Sequence, residues 1–143
     1  MNYYHVEPEV AGSLGDRTVM DTGSWPPKVN QLEYQFEGWL GDELLEMFPC
    51  FICTCPLADA LSVGKISGVS FESVLISKSE NFLELYPDKT LPDFCWLQVN
   101  GVAGVDDFGV AESNGLVVSE TAMTILKNFN INYADINAFH RSC

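Results

Sequence analysis

The hydrophobic pattern opens with a short apolar start at Tyr3, Tyr4 and Val6, which predicts a first strand. Turn formers then dominate to residue 31, among them Gly12, Gly15, Gly23 and Pro26-Pro27, and this stretch reads as a long loop. From Leu32 the texture changes: Leu32, Tyr34 and Phe36 alternate with Glu33, Gln35 and Glu37, the period of a half-buried strand. Gly38-Trp39-Leu40-Gly41 then turns the chain. Across 42–48, acidic residues come first and Leu44, Leu45, Met47 and Phe48 follow at helical spacing, so a short helix ending before Pro49 is predicted. Phe51-Ile52 reads as a buried strand.

Residues 51–71 can be laid on residues 116–136 without a gap, at a constant offset of 65. Thr54 then falls on Ser119, Leu57 on Ala122, Ala58 on Met123, Ala60 on Ile125, Leu61 on Leu126, Ile66 on Ile131, Val69 on Ala134 and Phe71 on Ile136. Each copy starts as an apolar strand and reaches a hydroxyl residue suited to N-capping. It continues as a helix and re-emerges as an apolar strand, at 69–76 and 131–136. Two readings stay open: a repeat covering 51–76 and 116–139, or two unrelated capped helices between strands. Between the copies, Phe82, Leu83, Leu85 and Tyr86 suggest an irregular helical turn, and Phe94 to Val99 a central strand. Residues 101–115 read as a Gly/Asp-rich connection, and 137–143 as a polar, fraying tail. The expected fold is α+β: one domain over 1–143, with a mixed sheet and short helices.

Composition narrows the function. With 47% hydrophobic and only 19% charged residues, the chain can bury a core and is not disordered. Seven basic against 20 acidic side chains give a net charge of -13, which argues against phosphate neutralisation and hence against a nucleic-acid partner. No apolar run approaches the roughly 20 residues of a membrane span, and no polybasic patch suits an anionic lipid surface. The start shows neither the positive nor the apolar region of a signal peptide, so a cytoplasmic protein with reduced thiols is expected.

Candidate chemistry is sparse. Cys50-x2-Cys53-x-Cys55 invites a zinc reading, but only Cys95, Cys143, His5 and His140 remain to complete it, with no second pair. Structural cysteines are the expectation, and no metal or cofactor is assigned. His5 and His140 both lie near the ends and no G-x-S-x-G elbow is present, which argues against a hydrolase triad. Asp106-Asp107-Phe108-Gly109 has no companion phosphate loop and reads as a turn. Gly12-x2-Gly15 is read as a loop, since no G-K-[ST] follows.

Charge distribution is more informative. Residues 29–64 and 90–126 contain no Lys or Arg, while acids recur through both. The plain reading is a solvated surface. The functional reading is an acidic surface that attracts a basic protein, with Trp25, Trp39 or Phe108 as apolar anchors. The candidate binding residues are Trp39, Asp42, Glu43 and Glu46 on the first segment, with Asp106, Asp107 and Glu112 on the second.

The opening Met1-Asn2-Tyr3-Tyr4, the Leu32-Glu33-Tyr34 strand, Ile66-Ser67-Gly68-Val69-Ser70-Phe71 and Leu116-Val117-Val118-Ser119-Glu120 together resemble small bacterial immunity proteins of polymorphic-toxin and type VI secretion systems. The second copy departs where Tyr133-Ala134 stands in place of Gly68-Val69. The resemblance implies a non-enzymatic α+β inhibitor, made in the cytoplasm of a toxin producer, that sequesters one cognate protein toxin acting inside cells. The rival expectations are a carboxylate-based enzyme, with or without a divalent ion, and a homo-oligomeric adaptor.

Overall fold

The computed structural model describes residues 2–112 and 115–140. Its elements run β1 (Tyr3–Glu7), β2 (Gly12–Leu14), β3 (Val19–Asp21), β4 (Lys28–Gln31), β5 (Glu33–Phe36), β6 (Leu44–Met47), β7 (Cys50–Thr54), α1 (Cys55–Val63), β8 (Val69–Glu72) and β9 (Leu75–Lys78). They continue as α2 (Glu80–Leu85), β10 (Phe94–Val99), β11 (Phe108–Val110), β12 (Leu116–Ser119), α3 (Glu120–Leu126) and β13 (Asp135–Phe139). The fold is α+β, as expected, but the strands form four sheets instead of one mixed sheet.

Two of these are four-stranded, in the orders β6-β7-β10-β8 and β11-β12-β1-β13, with every pairing antiparallel. The third, β2-β5-β9, is mixed because β5 and β9 run parallel. The fourth is the two-stranded β3–β4 arm. β7 is buried along its whole length, so its side chains serve two cores at once. Phe51 and Cys53 join Leu44, Leu97 and the apolar faces of α1 and α3 in one core. Cys50 and Ile52 join Leu45 and Trp96 with Leu32, Tyr34, Phe36 and Phe82 in the other.

That two-sided burial explains the largest departure from expectation. Residues 44–47 form a strand and not a helix, because neighbouring Leu44 and Leu45 must enter different cores and only an extended chain sends successive side chains to opposite faces. A seven-residue helix would be marginal alone, and the hairpin with β7 outweighs it. Residues 8–31 are not simply a loop: β2 pairs with β5, and β3 with β4. The stretch 69–76 divides into β8 and β9, which enter different sheets. The 101–115 connection contains β11, and the strand expected at 131–136 lies at Asp135–Phe139. The supposed fraying tail therefore closes a sheet edge by pairing with β1, while residues 141–143, including Cys143, lie outside the described residues.

The two four-stranded sheets correspond position by position. Phe94 opposes Thr54 and Leu97 opposes Phe51. In the other sheet Tyr3 opposes Ser119 and Val6 opposes Leu116, where the offset of 65 places Thr54 on Ser119 and Phe51 on Leu116. On the far side Leu97 opposes Phe71 as Val6 opposes Ile136. Loop bonds agree: Thr54 N–H donates to Glu43 O at 2.9 Å and Ser119 N–H to Asp107 O at 2.7 Å. The buried core pairs accordingly, as Val6 with Leu97, Leu44 with Phe108, Phe51 with Leu116, Cys53 with Val118, Leu57 with Ala122, Ala58 with Met123 and Leu61 with Leu126. Gly68, at φ 81°, sits where a Cβ would strike the Phe108 carbonyl, so the close approach of the two units there requires glycine.

Candidate functional site

The two acidic segments occupy equivalent places, one per unit, and most of their carboxylates hold the fold. Glu43 accepts the Thr54 hydroxyl at 3.0 Å and the Asn130 N–H at 2.9 Å. Asp107 accepts the Ser119 hydroxyl at 2.6 Å together with the Ser67 N–H at 3.0 Å and hydroxyl at 3.2 Å. Each thus ties its own helix start to the loop after the other unit's helix. Ser119 also caps α3 by accepting the Ala122 N–H, whereas Thr54, expected to cap α1, turns its hydroxyl to Glu43 instead.

Asp42 is 1% exposed and accepts the N–H groups of Asn132 and Tyr133 at 3.0 and 2.8 Å. Burial raises its carboxyl, against the lowering effect of those two bonds. Asp106 accepts the Val102 N–H at 2.7 Å within its turn. Asp42, Glu43, Asp106 and Asp107 thus each accept hydrogen bonds from within the fold. Trp39 donates its indole N–H to Asp42 O, packs edge-on against Phe94 and lies under the Lys89 ammonium, 5.4 Å from the ring centroid. Phe108 is fully buried and cannot anchor a partner. Glu112 is exposed in a turn, and Glu46 is half-buried on β6.

The structure brings a different set together around Glu46. The β3–β4 arm carries Trp25 at its tip, 76% exposed, with its ring 5.5 Å from that of Phe48 and tilted by 34°. Asp21 shapes the tip by accepting the Gly23 N–H at 2.8 Å. Phe48 lies in the turn between β6 and β7, and both aromatics precede a cis proline, Pro26 and Pro49. On one side of Phe48 is a cleft of about 450 Å³ walled by Pro26, Pro27, Trp96 and Val110. On the other, Trp25 and Phe48 border a cleft of about 610 Å³ with Val10, His5, Glu7 and Glu46. No described Lys or Arg lines either cleft. Burial, then the charge of Glu7, raises the Glu46 carboxyl. The sequence pointed to Trp25 as a candidate anchor and did not point to Glu7 or Phe48, although the two aromatic-proline dipeptides are a signal it does carry.

Groups for metal binding or for nucleophile-and-base chemistry are dispersed among the described residues. Among the described residues no three His, Cys, Asp or Glu side chains are grouped to hold a metal ion. Cys50 and Cys53 enter opposite cores, and burial pushes the Cys50 thiol up to about 12 and raises the Cys53 thiol as well. Cys55 Sγ instead lies 3.1 Å from Cys95 Sγ. His5 and His140 line different hollows. Among the described residues no helix is long and apolar enough to cross a membrane. Comparison with protein-family models, with curated proteins and with solved structures finds no match to this chain.

Proposed function

We propose that this is a non-enzymatic binding protein, of the immunity type, that neutralises a cognate protein toxin in the cytoplasm of the producing cell. The observation that supports binding most directly is the exposed Trp25–Phe48 stack set between two clefts without lysine or arginine. Exposed aromatics beside pockets are the side chains that concentrate interface energy, since they exclude water over a large area at low entropic cost. The net charge of -13, with Glu7 and Glu46 in the second cleft, selects a partner segment carrying Lys or Arg beside apolar side chains. The immunity reading itself rests on the sequence resemblance. Carboxylate catalysis has less support, because Asp42, Glu43, Asp106 and Asp107 are committed to protein donors.

The test is capture of the partner by tagged protein from its native lysate, followed by binding measurements on variants. A single stoichiometric basic partner is expected. Trp25→Ala should weaken binding by roughly 30-fold or more, the level of an interface anchor. Glu7→Lys with Glu46→Lys should slow association and flatten its salt dependence. Wild-type binding in both variants would remove this surface, and a partner with no toxic activity would remove the immunity reading.

A further inference from the structure

We propose that Cys55 and Cys95 are a reversible dithiol–disulfide couple that locks the first turn of α1 to the central strand β10. The two sulfurs are 3.1 Å apart across 40 residues of sequence, inside the usual contact distance of two thiols and about 1 Å from bonding distance. The fold creates this approach. Cys53 lies directly opposite Cys95 in the β7–β10 ladder, which would leave Cys55 a diagonal neighbour out of reach. The chain turns into α1 at Cys55, its N–H held by Asp93 O at 3.0 Å, and that turn carries the second thiol back over β10.

Three further observations single out this pair. Cys55 and Cys95 are both partly exposed, so a small disulfide can reach them, whereas Cys53 is fully buried. The corresponding positions of the other unit hold Glu120 and Tyr4, although the surrounding core matches residue for residue. Sulfur is therefore not needed to build the corner. No second pair of sulfurs in contact is found among the described residues.

The oxidant is a low-molecular-weight disulfide. One protein thiolate attacks a sulfur of that disulfide, breaking its S–S bond and forming a mixed disulfide, and the displaced thiolate takes up a proton. The second protein thiolate then attacks the protein sulfur of the mixed disulfide and expels the remaining small thiol. Two protein thiols are oxidised, one small disulfide is reduced to two thiols, and protons balance. Burial and the neighbouring Cys55 thiol raise the Cys95 thiol to about 11, so the reaction accelerates with pH.

The experiment equilibrates the full chain with mixtures of reduced and oxidised glutathione, then blocks free thiols and maps the linkages by mass spectrometry. Wild type should lose two free thiols together and yield a peptide linking Cys55 to Cys95. Closing a loop of this length should raise the oxidised protein's Tm by roughly 10 °C over the reduced form. Cys55→Ser and Cys95→Ser should each abolish both the link and the shift, and Cys53→Ser should keep the link. Folding of each variant is checked by its reduced-state Tm. A link through Cys53 or Cys143, or no intramolecular link in the most oxidising mixture, would overturn the assignment.

Discussion

Replacing Asp107 with alanine tests whether the acidic segments serve the fold. The carboxylate accepts the Ser119 hydroxyl, the Ser67 N–H and the Ser67 hydroxyl, joining the α3 cap to the loop that follows α1. Hydrogen bonds to a charged acceptor contribute about 1.5–3 kcal/mol each when shielded, and less where water competes. The Ser67 bonds are solvent-exposed and Ser119 keeps its bond to the Ala122 N–H, so the expected loss is about 2–4 kcal/mol, not the full sum. Urea unfolding at neutral pH should show a lower midpoint with an unchanged slope. Glu43→Ala leaves only two donors without their acceptor, the Thr54 hydroxyl and the Asn130 N–H, and should cost less. A double-mutant cycle with Ser119→Ala should return a coupling of about 1 kcal/mol or more, since the two side chains touch. A loss below about 1 kcal/mol, or strict additivity, would refute the structural role and return Asp107 to the list of free surface acids.

Tyr34→Phe should cost about 1–3 kcal/mol by denaturant unfolding, because the fully buried hydroxyl accepts the Ala11 N–H at 2.9 Å and its loss leaves that donor unpaired. An unchanged midpoint would show that water replaces the hydroxyl. Glu33 is held down to about 2, chiefly by hydrogen bonding from the Arg17 side chain at 3.2 Å and then from the Arg17 N–H at 2.8 Å. Its stabilisation is thus present above the unfolded value of about 4.3 and lost as pH falls toward about 2, so Glu33→Gln should flatten the acid limb of a Tm–pH profile in that window. Glu46 behaves oppositely: its folded carboxyl is raised by burial and by Glu7, and its penalty sets in as pH rises through its unfolded range. Glu46→Gln should therefore raise Tm at pH 7, and the gain should vanish in acid where both side chains are neutral. A gain that persists in acid would assign the effect to packing.

The acidic character of the chain was legible in the sequence, but its use was not. Counting charges shows that residues 29–64 and 90–126 carry a single sign. It does not show that Asp42 is buried against the backbone of Asn132 and Tyr133, distant in sequence by 90 and 91 positions. Such a partner is an N–H group, which every residue but proline has, so no residue type marks it. Glu33 shows the same on a strand: its alternation with Tyr34 places it outward, yet the 15–18 loop folds over it and Arg17 pairs with its carboxylate at 3.2 Å. The Cys55–Cys95 approach escaped for a related reason, since spacing along one strand does not reveal what a helix start lays over its neighbour.

By itself the sequence determined what depends on local periodicity: the strand at Glu33–Phe36, the helices beginning at Cys55 and Glu120, and the matching placement of apolar residues around them. These survive because the alternation or the helical spacing agrees with the face each element buries. Only the tertiary structure decided the rest. It made 44–47 a strand by placing a core on both sides, drew Asp135–Phe139 onto β1, and set Trp25 beside Phe48. Each of these results comes from pairing between distant segments, and hydrogen bonding and burial across such pairings outweigh local preferences of a few tenths of a kcal/mol per residue.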